Sequence, residues 1–480
     1  MKEFTLSRKV GFIIGPLLCI LLLAAPVELI NPAIDKVIAI AAWMIIWWVT
    51  EAVSISVTAL IPLALFPLLG IGDIKEVASN YANPIVYLFF GGFVIALALE
   101  KVNLHKRIAL SILKITGTKA NGIILGFMIA TGLMSMWISN TASTVVMLPI
   151  AVSVIQLLID DEDGFTKNDR NFALSIMLGI AFGANIGGMA TLIGTPPNSV
   201  MLAFLNESYN IDIGFFQWMK MGVPFSIILM IITYFMITRV FYKNNLGTIG
   251  KSGNIIQTEL DKLGPVSKGE KVVLAIFLIT AISWMLRSYL NQLLPEISLT
   301  DTTISVIAAL LMFIVPIDYK KGSFPLNWED TSRLPWGILI LFGGGLALAS
   351  GLAQSGFIDM IGSYISQQED WSMWVVTAVL IFLMLFMTEL MSNVALVTIL
   401  VPLVVGIAIG MDVPILQMVI PVTLASSCAF MLPMATPPNA IVFASGHVRV
   451  DQMARVGVVL NLISVGLLFA LAYYVVPVLF

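Results

Sequence analysis

Long apolar runs with almost no charge dominate the chain, among them residues 10–29, 224–240, 272–286 and 456–480. About 20 such residues, wound as a helix, cross roughly 30 Å of hydrocarbon. The runs do not alternate apolar and polar positions over ten-residue stretches, which excludes the strands of a membrane β-barrel. The pattern predicts an all-α polytopic membrane protein. Polar residues gather in short clusters, and four clusters interrupt apolar segments instead of bounding them. They are WISNTAST at 137–144, LMSNVALV at 390–397, GTPPN at 194–198 and ATPPN at 435–439.

These clusters belong to an internal repeat. At a constant shift of 253, Leu88, Phe89, Gly91 and Gly92 map onto Leu341, Phe342, Gly344 and Gly345. Ser139, Asn140, Ala142 and Pro149 map onto Ser392, Asn393, Ala395 and Pro402 in the same register. The proline motifs match at a shift of 241, and the 12-residue difference is about the length of the polar insert DDEDGFTKNDRN. The residues that recur are the polar and helix-breaking ones, which argues against a duplication without functional meaning. Repeated, broken apolar helices mark many secondary transporters, whose sites lie where the repeats meet.

Composition sharpens the class. Of 480 residues, 59% are hydrophobic and 11% charged, with a mean hydropathy of +0.99. A soluble domain carries about 25% charged residues. Cys19 and Cys428 both lie in apolar segments and form no framework for disulfides or metals. His105 and His447 flank membrane segments. The charged start MKEFTLSRKV resembles that of a signal peptide, but no small-residue cleavage site follows, so a retained first helix is expected.

Charge sets the orientation. With the N-terminus in the cytoplasm, only Lys36, Lys75, Lys220 and Arg287 of the 25 basic residues fall outside. That count requires 11 transmembrane helices, with the C-terminus outside, and two re-entrant hairpins. Residues 121–158 would enter and leave from the inside, and 373–409 from the outside. The repeats then run in opposite directions as an inverted repeat.

The clusters offer a particular chemistry. Ser139–Asn140 and Ser392–Asn393 sit at the two hairpin tips, and the paired prolines free carbonyls before each break and N–H groups after it. Carbonyl, hydroxyl and amide oxygens suit a hard cation such as sodium. Half-helix N-termini suit an anion. Nitrogen and sulfur ligands are absent, against zinc, copper or iron. Ser135 stands one helical turn before Ser139, and Thr388 holds the same relation to Ser392, so each repeat offers one cation site. Since no Lys or Arg lies in the motifs, an anion held there depends on the bound cations for positive charge. The bland alternative is that these polar groups pack helices together. Glu51 and Glu389 are the carboxylates nearest apolar surroundings, and a structural partner suits them as well as an ion path. A membrane-embedded enzyme would need a nucleophile with a base, or a metal cluster. No His-Glu-x-x-His occurs, nor a core serine near histidine or lysine, so no enzyme is expected. A channel is a weaker rival, excluded by concentrative, saturable uptake.

From Trp48-Val49-Thr50-Glu51-Ala52 to the final helix, with its two Ser-Asn-Thr/Val tips and two Thr-Pro-Pro-Asn breaks, the chain resembles the divalent anion–sodium symporters, the INDY-type di- and tricarboxylate transporters. The resemblance implies a homodimer in the bilayer with an elevator mechanism. The scaffold domain would comprise residues 1–118 and 269–368, and the transport domain 119–245 and 369–480, joined by a cytoplasmic linker at 246–268. It implies a first sodium site of Ser135, Ser139, Asn140 and the Gly194 carbonyl. The second would take Thr388, the Met391 carbonyl, Asn393 and the Ala435 carbonyl. Substrate would meet Asn140, Thr141 and Thr195 on one side and Asn393, Val394 and Pro437 on the other. Val394 departs from the symmetric pattern, where a second threonine can stand, so one hydroxyl contact is lost.

The expected function is therefore import of a C4 dicarboxylate (succinate, fumarate or malate) coupled to sodium, the co-transported ion. No organic cofactor and no nucleic-acid partner are expected. The expected location is the cell inner (plasma) membrane, multi-pass. The alternatives are sodium-independent dicarboxylate exchange, or sodium-coupled citrate or sulfate transport.

Overall fold

The structure is a computed structural model and describes the whole chain except residues 1–4, 25–29, 160–164, 250–251, 294, 297 and 369–370. The described residues form helices and no strand, with two isolated β-bridges, Lys119 to Thr248 and Asp318 to Ser323. Among the described residues, ten helices are long and apolar enough, by length and composition, to cross a membrane. Their starts follow from local chemistry. Pro84–Lys101 begins with proline at its first position, and the Asn83 side chain accepts the Ile85 N–H. Lys167–Gly188 begins with a capping box between Thr166 and Asp169.

The repeat appears as two copies of one element order. A long helix (Pro84–Lys101; Trp336–Gln354) leads to a short amphipathic one (Leu104–Thr116; Phe357–Ser366). A helical hairpin follows, Ala120–Ser135 with Asn140–Ile159 in the first copy and Met373–Thr388 with Asn393–Gly410 in the second. Next comes a broken helix: Lys167–Gly188 and Pro196–Tyr209, then Ile415–Ala425 and Pro437–Ala444. Each copy closes with a long helix ending in a π-helical turn, at Met236–Phe241 and Leu471–Val475. The change of register from 253 to 241 falls in the connection after each hairpin. The residues DDEDG within it lie outside the described residues.

Burial places the broken helix at the centre. Lys167–Gly188 is buried over 94% of its apolar window, against 17% for Leu6–Ala24 and 22% for Lys268–Leu293, which therefore lie at the periphery. Small residues permit the close approach of that central helix to the first hairpin. A methyl group on Gly187 would fall 2.1 Å from the Gly132 carbonyl oxygen.

Polar contacts, together with the run of the helices between them, group the connections into two sets. In one, Arg8 pairs with Glu51, Lys101 with Asp330, Lys106 with Glu259 and Arg107 with Glu270. The Asn171 amide donates to the Lys243 carbonyl and the Tyr242 hydroxyl to the Gln452 carbonyl in that same set. In the other, Lys36 donates to the Leu69 carbonyl, Gln354 to Glu76 and Gln217 to the Leu479 carbonyl, while Arg287 pairs with Asp301.

Candidate functional site

In the first hairpin, the leading helix stops at Ser135 and the returning helix starts at Asn140. Helical spacing would stack Ser135 on Ser139, but the chain turns at 136–139 and that pairing is replaced. The Ser135 hydroxyl donates instead to Asn140 Oδ1 at 2.5 Å. Ser139 is exposed, and its Oγ accepts the Ala142 N–H at 3.2 Å, capping the returning helix.

The first break closes on this tip. Thr191 Oγ1 donates to the Met136 carbonyl at 2.6 Å and accepts the Gly194 N–H at 3.0 Å. The Asn198 amide donates to the Thr191 carbonyl at 3.0 Å. A methyl on Gly188 would lie 2.5 Å from Asn140 Oδ1. One on Gly194 would lie 2.5 Å from the Gly188 carbonyl oxygen and 3.0 Å from that of Ser135. Ser135, Asn140 and Gly194 thus share one small, oxygen-rich space without a cationic side chain. Thr195 is buried at the start of Pro196–Tyr209, and Thr141 is exposed.

The second repeat rebuilds the arrangement with one addition. Thr388 Oγ1 lies 2.7 Å from both Asn393 Oδ1 and the Ser426 carbonyl, sharing one hydroxyl proton between them. Ser392 takes the N-cap position of Asn393–Gly410. In the second break the Asn439 amide donates to the Ala429 and Leu432 carbonyls, both at 3.1 Å. Thr436 Oγ1 accepts the Asn439 N–H, and Ala435 is buried beside it. Pro437 is exposed, and Met391 and Val394 are half-buried.

The addition is Glu389. This carboxylate is 2% exposed and accepts the N–H groups of Phe430, Met431 and Leu432 at 2.9, 2.9 and 3.0 Å. The Asn461 amide donates to it at 2.7 Å. All four contacts are donors from the protein, which makes Glu389 a clamp on the second break. Glu51 is half-exposed and pairs with Arg8 at 2.7 Å in the first set of connections, away from both breaks. His105 Nδ1 lies 3.0 Å from the Leu99 carbonyl. Among the described residues no three His, Cys, Asp or Glu side chains form a metal-binding group.

The two repeats interlock at these sites. Pro196–Tyr209, after the first break, packs on Asn393–Gly410 of the second hairpin. Pro437–Ala444, after the second break, packs on Asn140–Ile159 of the first. Four helix N-termini, with the positive ends of their dipoles, therefore start around the two tips.

Residues 7–480 match the family described as the sodium:sulfate symporter transmembrane region. The chain belongs to the sodium:sulfate symporter family. It is 38% identical to the sodium-dependent dicarboxylate transporter SdcS of Staphylococcus saprophyticus, over 99% of this chain and 93% of that protein. The same identity and coverage relate it to SdcS of Staphylococcus aureus strain USA300. Two solved transporters share the fold at 10% identity. They are the Alcanivorax borkumensis YdaH transporter (TM-score 0.56, covering 82% of this chain and 86% of that one) and Neisseria gonorrhoeae MtrF (TM-score 0.55, 98% and 95%). Membership of the sodium:sulfate symporter family makes the chain a multi-pass membrane transporter and not an enzyme.

Sequence reasoning missed Thr191, Asn185 and Asn461, the polar groups that hold the breaks in place. Their only signal is that each is a polar residue inside an apolar segment. It did not separate the roles of Ser135 and Ser139, because the spacing assumed one helix through both.

Proposed function

We propose that the protein imports a C4 dicarboxylate such as succinate, fumarate or malate, coupled to sodium, across the cell's plasma membrane. The observation that carries this reading is the duplicated pair of a hydroxyl and an asparagine oxygen, Ser135–Asn140 and Thr388–Asn393. Each pair meets a broken helix and has no cationic side chain beside it. The first cation site is assigned to Ser135, Ser139, Asn140 and the Gly194 carbonyl. The second is assigned to Thr388, Asn393 and the Met391 and Ala435 carbonyls. The Ser135 hydroxyl donates its proton to Asn140 Oδ1, and Thr388 shares its own between Asn393 Oδ1 and the Ser426 carbonyl. A bound cation would turn that proton away and take both oxygens.

The dicarboxylate would lie between the tips, against Asn140, Thr141 and Thr195 on one side and Asn393, Val394 and Pro437 on the other. It would face four helix N-termini and two bound cations. Moving one charge across 100 mV is worth about 2.3 kcal/mol, so bringing a dianion into a negative cell costs about 4.6 kcal/mol. Two sodium ions cancel that charge. The names of the relatives, sodium-dependent dicarboxylate transporters, favour this reading over sodium-independent exchange and over citrate or sulfate.

The two sets of polar connections favour 11 crossings with two re-entrant hairpins. The first hairpin begins beside Thr248 and ends before Asn171, and both positions belong to the first set. The second begins at Trp374, whose ring lies 4.7 Å from that of Tyr473 near the C-terminus. It ends at Gly410, packed on Gly362 of the short amphipathic helix. Asn140–Ile159 and Asn393–Gly410 are long enough to cross on length alone, but the 16-residue helices leading into them are not. In this reading the N-terminus is cytoplasmic and the C-terminus outside. A dimeric scaffold (1–118 and 269–368) carries a transport domain (119–245 and 369–480) that slides as an elevator, with residues 246–268 as the cytoplasmic linker.

The test is uptake of labelled succinate by proteoliposomes, with and without an inward sodium gradient, competed by fumarate, malate, citrate and sulfate. Concentrative uptake that needs sodium and yields to C4 acids is expected. Uptake driven only by internal dicarboxylate, or competed first by sulfate or citrate, would replace this reading.

A further inference from the structure

One side chain reaches from the first repeat into the second without belonging to either candidate site. Asn185 lies three residues before Gly188 on the last turn of Lys167–Gly188 and is 1% exposed. Its Nδ2 donates toward Thr436 Oγ1 at 3.1 Å, Asn439 Oδ1 at 3.3 Å and the Ala429 carbonyl at 3.4 Å. All three acceptors belong to the second break. Thr436 and Asn439 are also the residues that close that break on itself, through the Asn439 N–H and the bonds to Ala429 and Leu432. The amide of Asn185 sits in the middle of that closure. Its own Oδ1 is buried with no hydrogen-bond partner among the described residues.

The link runs one way. At the shift of 241 the counterpart of Asn185 is Ser426, whose hydroxyl turns back on its own helix and donates to the Thr423 carbonyl at 2.7 Å. Asn198 Oδ1, the counterpart of Asn439 Oδ1, is consequently buried without a partner. Apart from a thiol–thioether contact of 3.8 Å between Cys428 and Met189, the side-chain hydrogen bonds between the two breaks come from Asn185.

The position of this residue gives the link a consequence. Gly188, three residues on, is the surface on which Asn140 rests, since a methyl there would lie 2.5 Å from Asn140 Oδ1. A cation that draws in Asn140 and the Gly194 carbonyl fixes the end of this helix. Fixing it holds the Asn185 amide against Thr436 and Asn439, beside the Ala435 carbonyl of the other site. We propose that Asn185 is a positioning residue that couples the two cation sites, so that filling one raises the affinity of the other. This rests on the two-site reading above. Coupling of this kind is reciprocal and typically amounts to about 5- to 150-fold.

The test is sodium titration of purified protein without dicarboxylate, at constant ionic strength, followed by tryptophan fluorescence. Trp137 at the first tip, packed 4.8 Å edge-on to Phe277, is the natural reporter. Asn185→Ser places at this position the residue that the second repeat already carries, with a hydroxyl able to bond to its own helix. The wild-type Hill coefficient is expected between about 1.5 and 2, falling to about 1.0–1.2 in N185S with half-saturation raised at least about fivefold. The sodium-free thermal midpoint should move by less than about 2 °C, and the dicarboxylate KM at saturating sodium by less than about twofold. Asn185→Thr serves in the same assay if N185S does not fold. A wild-type coefficient retained in the variant, or a hyperbolic wild-type titration, overturns the coupling. So does a lowered midpoint with an unchanged coefficient, which marks a purely structural role. A wild-type protein without any sodium response removes the two-site reading itself, and the coupling with it.

Discussion

Glu389→Gln separates a structural clamp from an ion path. The carboxylate Oε1 accepts Phe430 N–H, Met431 N–H and the Asn461 amide, and Oε2 accepts Leu432 N–H. A glutamine with its oxygen in the Oε1 position keeps three of these bonds without the charge, losing about 1 kcal/mol on each. Its NH2 then faces the Leu432 N–H, which leaves one buried donor unpaired for about 1–3 kcal/mol more. Removing a buried charge returns part of its desolvation cost, so the net loss is about 2 kcal/mol. If that loss falls on the closed form of the second break, sodium half-saturation rises about 30-fold. The thermal midpoint drops by about 2 °C. The assays are sodium-dependent succinate uptake in proteoliposomes and thermal unfolding of the purified protein. A variant with wild-type half-saturation and a wild-type midpoint would refute the clamp.

Thr191→Val removes the bond that ties the first break to its hairpin tip at Met136 and the one that closes the break through the Gly194 N–H, and is expected to destabilise the protein by about 2 kcal/mol, read as a lower thermal midpoint, and to weaken sodium activation. Gly188→Ala sets a methyl 2.5 Å from Asn140 Oδ1, so the amide must move. Sodium half-saturation should rise at least about tenfold, while N185S should also flatten the titration by lowering its Hill coefficient. Glu259 is held below its ordinary value of 4.5 by hydrogen bonds from Lys262 and Lys106. A lowered folded value means that its stabilisation is full above that ordinary value and is lost as pH falls through the folded one. E259Q should thus lower the midpoint at pH 7 by an amount worth less than about 1 kcal/mol, with the difference shrinking as pH falls below 4.5.

The apolar runs, the two tips and the two proline breaks were legible in the sequence because each is a local event. An uncharged run of 20 residues has one common solvent, and paired prolines end a hydrogen-bond ladder wherever they stand. The repeat register pairs Asn140 with Asn393 from the chain alone. What stayed hidden depends on the third dimension. Ser135 meets Asn140 and not Ser139, because the helix stops at Ser135, a boundary that no residue announces. Glu389 finds its partners at 430–432 and 461, and no spacing along the chain connects them. Asn185 and Thr191 look like stray polar residues until the loops they tie are in place. Glu51 looked equivalent to Glu389 by composition, yet it pairs with Arg8 and plays no part at the breaks.

The most direct test of two oxygen-only cation sites is sodium-driven succinate accumulation measured side by side for wild type, Asn140→Ala and Asn393→Ala at matched abundance in proteoliposomes. Each variant deletes the oxygen that its hydroxyl partner contacts at 2.5 and 2.7 Å respectively. The wild type should accumulate succinate only with an inward sodium gradient, and each variant should lose at least about tenfold of that sodium activation. Undiminished, sodium-activated uptake by both variants would contradict the account.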